Sequence, residues 1–445
     1  MPGLPTPGSL VLRVPWLALI AVVALAGCAN RDPVLPGERI SVRPGDAPIA
    51  GGARQGLGIP TPVVNAKWSH RNGAARGRLV NPALRPVPQL IWSVDIGAGD
   101  DKRTRVLTGP IVAGGLVFAM DAAGRITAVT RSGQVAWTRS VVPEGQLADS
   151  GPGGGFAESG GVLFVTTGFG EVFALDPASG GTLWRRTLEA PIRAAPAVAG
   201  GLVVVVQRDD NALALDARTG ETLWRVQGVG GTGLLGGASP AIDGQLAVIP
   251  FASGEVLGVL ARNGLAVWGT AITGGRPGVA RNSIVDVSGD PVIDGDTVFA
   301  SNQAGRTIRL DSRTGERVWT IAEGSYGPAW PVGGSVFLLS DEGALVRADA
   351  ATGELLWLVQ LPELFPHRGF FGRGKPFKTV AYYGPILAGG RLWVAGADGL
   401  LRGFNPADGA ALAQVPLPGG AAAGPAVAGG VMYIATRDGH LLAFQ

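Results

Sequence analysis

Cysteine occurs once in the 445 residues, as Cys28, so no disulfide can form within the chain. The three histidines, His70, His367 and His440, are scattered, which disfavours a zinc or acid/base cluster built from neighbouring positions. Neither sign of charge predominates, since 37 Lys and Arg stand against 34 Asp and Glu for a formal net charge of +3. No basic run is interleaved with aromatics, so nucleic acid is not an expected partner, and a near-neutral chain gives little to charge-driven association. The apolar run from Val14 to Leu25 covers only about 12 residues, too few to span a bilayer as a helix. A Gly-rich phosphate loop, a Gly-x-Ser-x-Gly elbow and a His-Glu-x-x-His helix are all missing, and with them the motifs of common nucleotide and hydrolase sites.

Glycine, by contrast, is abundant: its 72 residues are about twice the usual ~7% share. They fall at recurrent turn positions without a collagen period. Tryptophan, at 11, outnumbers tyrosine, at 4, and sits at one phase of an internal repeat. The plainest copy is Ala195-Pro-Ala-Val-Ala-Gly-Gly-Leu-Val-Val-Val-Val-Gln207 followed by Asn211-Ala-Leu-Ala-Leu-Asp-Ala-Arg-Thr-Gly-Glu-Thr-Leu-Trp224. It predicts four short strands, Ala195–Val198, Leu202–Gln207, Ala212–Asp216 and Glu221–Val226, separated by a Gly-Gly turn, a polar turn and an Asp-x-x-Thr-Gly turn.

Units are counted by Trp137, Trp184, Trp224, Trp268, Trp319 and Trp357, with Ala413 at the same phase in a seventh. Inner strands opening at Pro110, Pro196, Pro240, Pro291, Pro328, Pro385 and Pro425, and Phe156-Ala157 in the second unit, agree. The first repeat is out of phase, because Gln89-Leu-Ile-Trp92 is an outer strand lacking its three predecessors, and the stretch from Gly424 to Gln445 is three strands lacking their outer one. The two fragments complement each other. This predicts an all-β, eight-bladed β-propeller of four-stranded blades over 88–445, the last blade closed by an N-terminal strand. A membrane barrel is disfavoured, since Val203–Val206 and Ser335–Leu339 are apolar on both faces whereas barrel strands alternate.

The N-terminal region reads differently. Leu25-Ala-Gly-Cys28 resembles the bacterial lipoprotein signal, which implies cleavage of residues 1–27 and acylation of Cys28. Several acyl chains make such an anchor durable. Ala29 and Asn30, rather than Asp, follow the Cys, which under the lipoprotein sorting pattern favours the outer membrane. Residues 28–65 are rich in Pro, Gly, Ala and Arg and read as a flexible tether. Residues 66–87, with Trp68 and His70, read as a latch docking on the propeller.

Ala214-Leu-Asp216-Ala-Arg-Thr-Gly220-Glu-Thr-Leu-Trp224 resembles the Ala-x-Asp-x-x-Thr-Gly-x-x-x-Trp motif of propellers related to pyrroloquinoline quinone enzymes. Near copies surround Asp176, Asp311 and Asp349, while Val129, Leu260 and Asn405 replace the Asp in units one, four and seven. These residues read as turn caps and interblade packing, with no metal role. The order of lipobox, tether, split blade and eight units more closely resembles the BamB family, the lipoprotein propellers of the outer-membrane β-barrel assembly machinery. That family also tends to lose the Asp of its fourth blade.

The resemblance implies a non-catalytic scaffold, without cofactor or metal, at the periplasmic face of the outer membrane. It implies docking on periplasmic domains of the central barrel subunit through two neighbouring interblade loops, and contact with unfolded outer-membrane protein clients. Where the family has Leu-x-Leu-Arg-Gly, this chain keeps Leu234 and places Leu235 at the Arg position. Where the family has Asp-x-Asp, it has Asp286-Val-Ser288. The implied partner-binding residues are thus Leu234, Leu235, Asp286 and Ser288, with Arg281 a candidate for the displaced charge.

Leu361–Tyr383 is an insertion with six aromatics and an excess of basic residues, suited to a protein interface, to anionic head groups or to a lid over the channel. Two other readings stay open: a periplasmic binding propeller with a different protein client, and a quinoprotein dehydrogenase. Fold alone does not carry the second chemistry across.

Overall fold

Short apolar runs punctuated by glycine turns leave each segment only one economical use for its backbone polar groups, the antiparallel ladder. The computed structural model describes residues 3, 56–151, 153–230, 237–276, 284, 286–366 and 377–445. In the third blade Ala197–Ala199, Leu202–Val206, Asn211–Asp216 and Thr222–Gln227 pair in sequence order. The middle strands are apolar on both sides because both faces meet neighbouring blades. Only the outer strand is largely exposed.

The same sheet recurs around a ring. Blade 1 runs from Ile111 to Ser140, blade 2 from Gly154 to Thr187, blade 4 from Ala241 to Ala271, blade 5 from Val287 to Ile321, blade 6 from Trp330 to Gln360 and blade 7 from Tyr382 to Pro416. In blade 8 Ala426–Ala428, Val431–Ala435 and His440–Phe444 are completed by Leu90–Asp95. Gln89 and Gln445 exchange two backbone hydrogen bonds of 2.8 Å at that seam. The chain is therefore an eight-bladed propeller closed by its N-terminal strand, as the sequence predicts. Among the described residues no helix is long and apolar enough to cross a membrane.

Consecutive blades are locked by the repeated tryptophan. Each indole N–H donates to a carbonyl in the turn between the third and outer strands of the next blade: Trp92 to Arg131, Trp137 to Pro177, Trp184 to Ala217, Trp224 to Ala261, Trp268 to Ser312, Trp319 to Ala350 and Trp357 to Pro406, at 2.7 to 3.2 Å. The glycine of the receiving turn seats the ring. At Gly220, φ is +75°, and a Cβ there would stand 2.7 Å from the Trp184 ring. Ala413 breaks the series for a geometric reason. The corresponding turn of blade 8 is the seam between Phe444 and Leu90, so no continuous turn exists there to receive an indole.

The Asp of the motif caps its own turn. Asp216 Oδ1 accepts from the amides of Arg218 and Thr219 at 2.8 and 2.9 Å, and Asp176, Asp311 and Asp349 repeat the pattern. These amides hold the carboxyls of Asp176, Asp216 and Asp311 below the usual range.

Residues 65–82, most of which the sequence reads as part of a latch, make an inner girdle that visits the innermost strand or its turn in all eight blades in ring order. Asn65 bonds Val427 and Gly429 of blade 8, Trp68 exchanges two 2.9 Å backbone bonds with Val112 of blade 1, and the Ser69 carbonyl accepts from Glu158 of blade 2. His70 Nε2 accepts from the Val198 amide of blade 3 at 3.1 Å. The carbonyls of Ala75 and Arg76 accept from Ile242 and Ile293 of blades 4 and 5. Those of Val80 and Pro82 accept from the Trp330 indole of blade 6 and the Gly389 amide of blade 7. Trp68 is fully buried and stacks on Trp330 with ring centroids 6.5 Å apart.

Trp68→Ala removes the largest side chain of this girdle and leaves a cavity where the inner strands converge, so a loss of about 3–5 kcal/mol is expected in urea unfolding. A loss below about 1 kcal/mol would show the girdle to be peripheral to stability.

Candidate docking face

Connectors from one blade's outer strand to the next blade's inner strand lie on the same face as the turns between second and third strands. The two connectors singled out by sequence, 228–240 and 272–286, flank blade 4. Leu234, Leu235 and Arg281 lie outside the described residues, as does Cys28. Asp286 and Ser288 are described, and both are turned inward. Asp286 is fully buried and accepts two hydrogen bonds from Arg193 Nη2, at 2.5 and 2.6 Å. Ser288 donates to the Ser325 carbonyl at 2.8 Å. Their side chains are committed within the ring, and what they present outward is the path of the connector.

Sequence reasoning missed the groups around them. Arg193, on the connector between blades 2 and 3, also lies 3.9 Å from Asp210. Asp210 adopts φ +58°, unusual for a residue with a side chain, and its carboxylate accepts from the amides of Ala252 and Ser253 in blade 4 at 2.8 and 3.1 Å. Asp290 gathers the Asn72 side chain at 2.6 Å, the Ser239 amide at 2.7 Å and Arg71 at 3.4 Å, joining girdle, first connector and blade 5. Arg276, at the start of the second connector, is held by Glu323, Asp341 and Glu342 at 2.8, 3.0 and 3.4 Å.

Burial pushes the Asp286 carboxyl up to about 6, helped by Asp210 and opposed by Arg193. Burial likewise raises Glu323. His70 is neutral, held down at about 4 by burial inside the girdle. These acids are each engaged by a guanidinium or a backbone amide, and among the described residues no group of His, Cys and acidic side chains is placed to hold a metal ion. The arrangement positions backbone.

The 361–383 insertion begins and ends as a two-stranded hairpin, Leu364–Pro366 against Phe377–Thr379, while 367–376 lie outside the described residues. Tyr382 anchors its base by donating to the Pro362 carbonyl at 2.7 Å.

A family model described as outer membrane protein assembly factor BamB matches residues 124–359, more than half of the chain. No curated protein sequence matches. Among solved structures, BamB from Moraxella catarrhalis is 21% identical with a TM-score of 0.61, the match covering 81% of this chain and 98% of that one. A quinohemoprotein alcohol dehydrogenase from Comamonas testosteroni is 15% identical with a TM-score of 0.61, over 85% of this chain and 80% of its own. A europium-containing methanol dehydrogenase is 16% identical with a TM-score of 0.61, over 83% and 89%. At these identities the structural likenesses establish the fold alone.

The buried Asp286 generates a pH dependence with a definite sign. Its folded pKa lies above the ordinary 3.8, so the stability contributed by proton uptake is fully present below about pH 3.8 and is lost as pH rises through about 6. Measured against Asp286→Asn by urea unfolding, wild-type stability is expected to fall by on the order of 3 kcal/mol between pH 4 and pH 7.5. A difference that stays flat across this window would mean that Asp286 does not titrate there.

Proposed function

The chain belongs to the family of outer membrane protein assembly factor BamB, and from this membership we propose that it is a non-catalytic scaffold of the machinery that assembles β-barrel proteins into the outer membrane. Lipid on Cys28 holds it at the periplasmic face of that membrane. The connectors flanking blade 4 dock on soluble periplasmic domains of the central barrel subunit, with Leu234 and Leu235 on the first and the path of the second set by Asp286 and Ser288. Unfolded outer-membrane proteins are its further clients.

The observation that carries this reading is the family match over 124–359, which includes both connectors. The geometry supports it in kind: two neighbouring connectors whose described flanks are pinned by buried ion pairs give a rigid ring a defined recognition face. A second reading, a periplasmic propeller with another protein client, is favoured by Leu235 and Ser288, which depart from the family pattern at the implied contact. The dehydrogenase reading rests on shared fold, which does not specify chemistry.

Purification of the tagged full-length protein from detergent-solubilised envelopes tests the proposal. A large β-barrel protein with periplasmic domains is expected to co-purify without a stoichiometric quinone, and Leu234→Asp is expected to reduce its recovery. Cys28→Ser is expected to move the protein from the membrane to the soluble fraction. Recovery of a different client would favour the second reading, and a stoichiometric quinone by absorbance would favour the dehydrogenase.

A further inference from the structure

Two devices tie each blade to the next, and both skip the border between blades 7 and 8. The indole series begins with Trp92 of blade 8 reaching blade 1 and ends with Trp357 of blade 6 reaching blade 7, and Ala413 has nothing to offer blade 8. The girdle starts on blade 8 at Asn65 and finishes on blade 7 at Pro82, so its covalent path is open at this same border. The seam strand pairs within blade 8. What bridges the gap is a clasp in which the two ends of the girdle meet side by side. The Val63 amide donates to the Asn81 carbonyl at 3.0 Å, the Ala83 amide to the Val63 carbonyl at 2.8 Å, and Asn81 Nδ2 to the Pro60 carbonyl at 2.7 Å. One end is fixed to blade 8, where Asn65 Nδ2 donates to the Val427 carbonyl at 2.6 Å and the Gly429 amide donates to the Asn65 carbonyl at 2.8 Å. The other is fixed to blade 7, where the Gly389 amide donates to the Pro82 carbonyl at 2.8 Å and the Gly390 amide to Asn81 Oδ1 at 3.1 Å. The chain crosses blade 7 closely: Gly389 has φ +58°, and a Cβ there would collide with the Leu84 carbonyl oxygen. Gly200, at the same turn of blade 3, has the same φ of +58° with open space where its Cβ would be.

We propose that this clasp is the eighth lock of the ring and its releasable joint: seated, it ties blade 7 to blade 8, and when 60–65 lifts, these two blades loosen while the seven indole-locked borders hold. An indole lock buries a large apolar ring between two sheets as well as making a hydrogen bond, so opening it exposes that area to water. The clasp holds by backbone and amide hydrogen bonds, each of modest net strength, and its Val63 and Val64 side chains are 66% and 70% exposed, so its release uncovers little. Leu401 and Val415 of blade 7 share an apolar cluster with Met432 and Ile434 of blade 8, but the clasp is the tie in which hydrogen bonds cross this border through the girdle. The segment that forms it also leads back toward Cys28, so load on an anchored N-terminus enters the ring through the joint. That last step rests on the lipid anchor proposed above, whereas the joint itself is a property of the free protein.

The test is hydrogen–deuterium exchange on the purified full-length protein, comparing wild type with Asn65→Ala, Asn81→Ala, Gly389→Ala and Gly200→Ala, each read on the far side of the joint. Asn81→Ala and Gly389→Ala, which weaken the blade 7 end, are expected to speed exchange of 424–435 in blade 8 by about tenfold. Asn65→Ala, at the blade 8 end, is expected to do the same for Tyr382–Ala388 in blade 7. The inner strands Ile111–Ala113 and Ala197–Ala199 are expected to stay unchanged in all three. Gly200→Ala imposes the same backbone strain with no crossing chain above it, and is expected to leave blades 7 and 8 as in wild type. Should Gly389→Ala fail to fold, the two asparagine variants, which keep every backbone bond, carry the test. Exchange that changes only beside the substituted residue, or equally at every inner strand, would overturn the joint. The same pattern is expected in a Cys28→Ser background, so a failed lipid anchor and a failed joint are read separately.

Discussion

An indole N–H donated to the next blade's turn is the interaction on which this ring depends. Each lock contributes the burial of a large apolar ring and one satisfied polar group, and it acts only on a neighbour in one direction around the circle. Seven such contacts therefore propagate order from blade 8 through blade 7. The eighth interface cannot use the device, because its receiving turn is replaced by the seam, and closure falls to strand pairing between Leu90–Asp95 and His440–Phe444. The girdle then ties the inner edge of all eight sheets with one continuous segment. A ring tied at its periphery by side chains and at its centre by backbone has little freedom for one blade to tilt without its neighbours.

The blade pattern was legible in the sequence because each of its parts repeats. Tryptophan phase, glycine turns and the split unit are local signals read once and confirmed seven times, so even Ala413 stood out as a departure. Of the girdle, the sequence suggested only a latch at 66–87, and its circuit of the ring was not legible. Its contacts are made largely through backbone groups, as at Trp68, Ser69, Ala75, Arg76 and Pro82, so no side-chain period marks it. The orientation of the connector acids was not legible either. An Asp in a connector reads as exposed and available, whereas Asp286 faces inward to Arg193, a partner 93 residues away that no spacing rule would select.

A further feature constrains where recognition can occur. Each outer strand is an edge with unpaired backbone groups, open in principle to another strand. In every blade a one-residue bulge falls next to the tryptophan position, opposite the shift at Ala214/Leu215 in blade 3 and its equivalents elsewhere. The extra residues include Ile91, Leu183, Leu223, Val267, Val318 and Leu412, which explains why aliphatic side chains at these positions are exposed. The bulge interrupts the free ladder and twists the edge, a common defence against unwanted pairing.

Blunted edges and a tied centre leave the connectors as the part of the molecule able to vary without cost to the ring. Their variation is limited in turn by the buried charges at their flanks, since each cation there is matched to acids on other blades. Ser288 shows this directly: it departs from the family pattern, yet it is turned inward and donates to the Ser325 carbonyl, so it sets the backbone's course instead of facing outward. Quinoprotein dehydrogenases share the same ring, so the ring decides nothing about function. What distinguishes one propeller from another is carried by connector sequence and by the few buried pairs that give it a fixed shape.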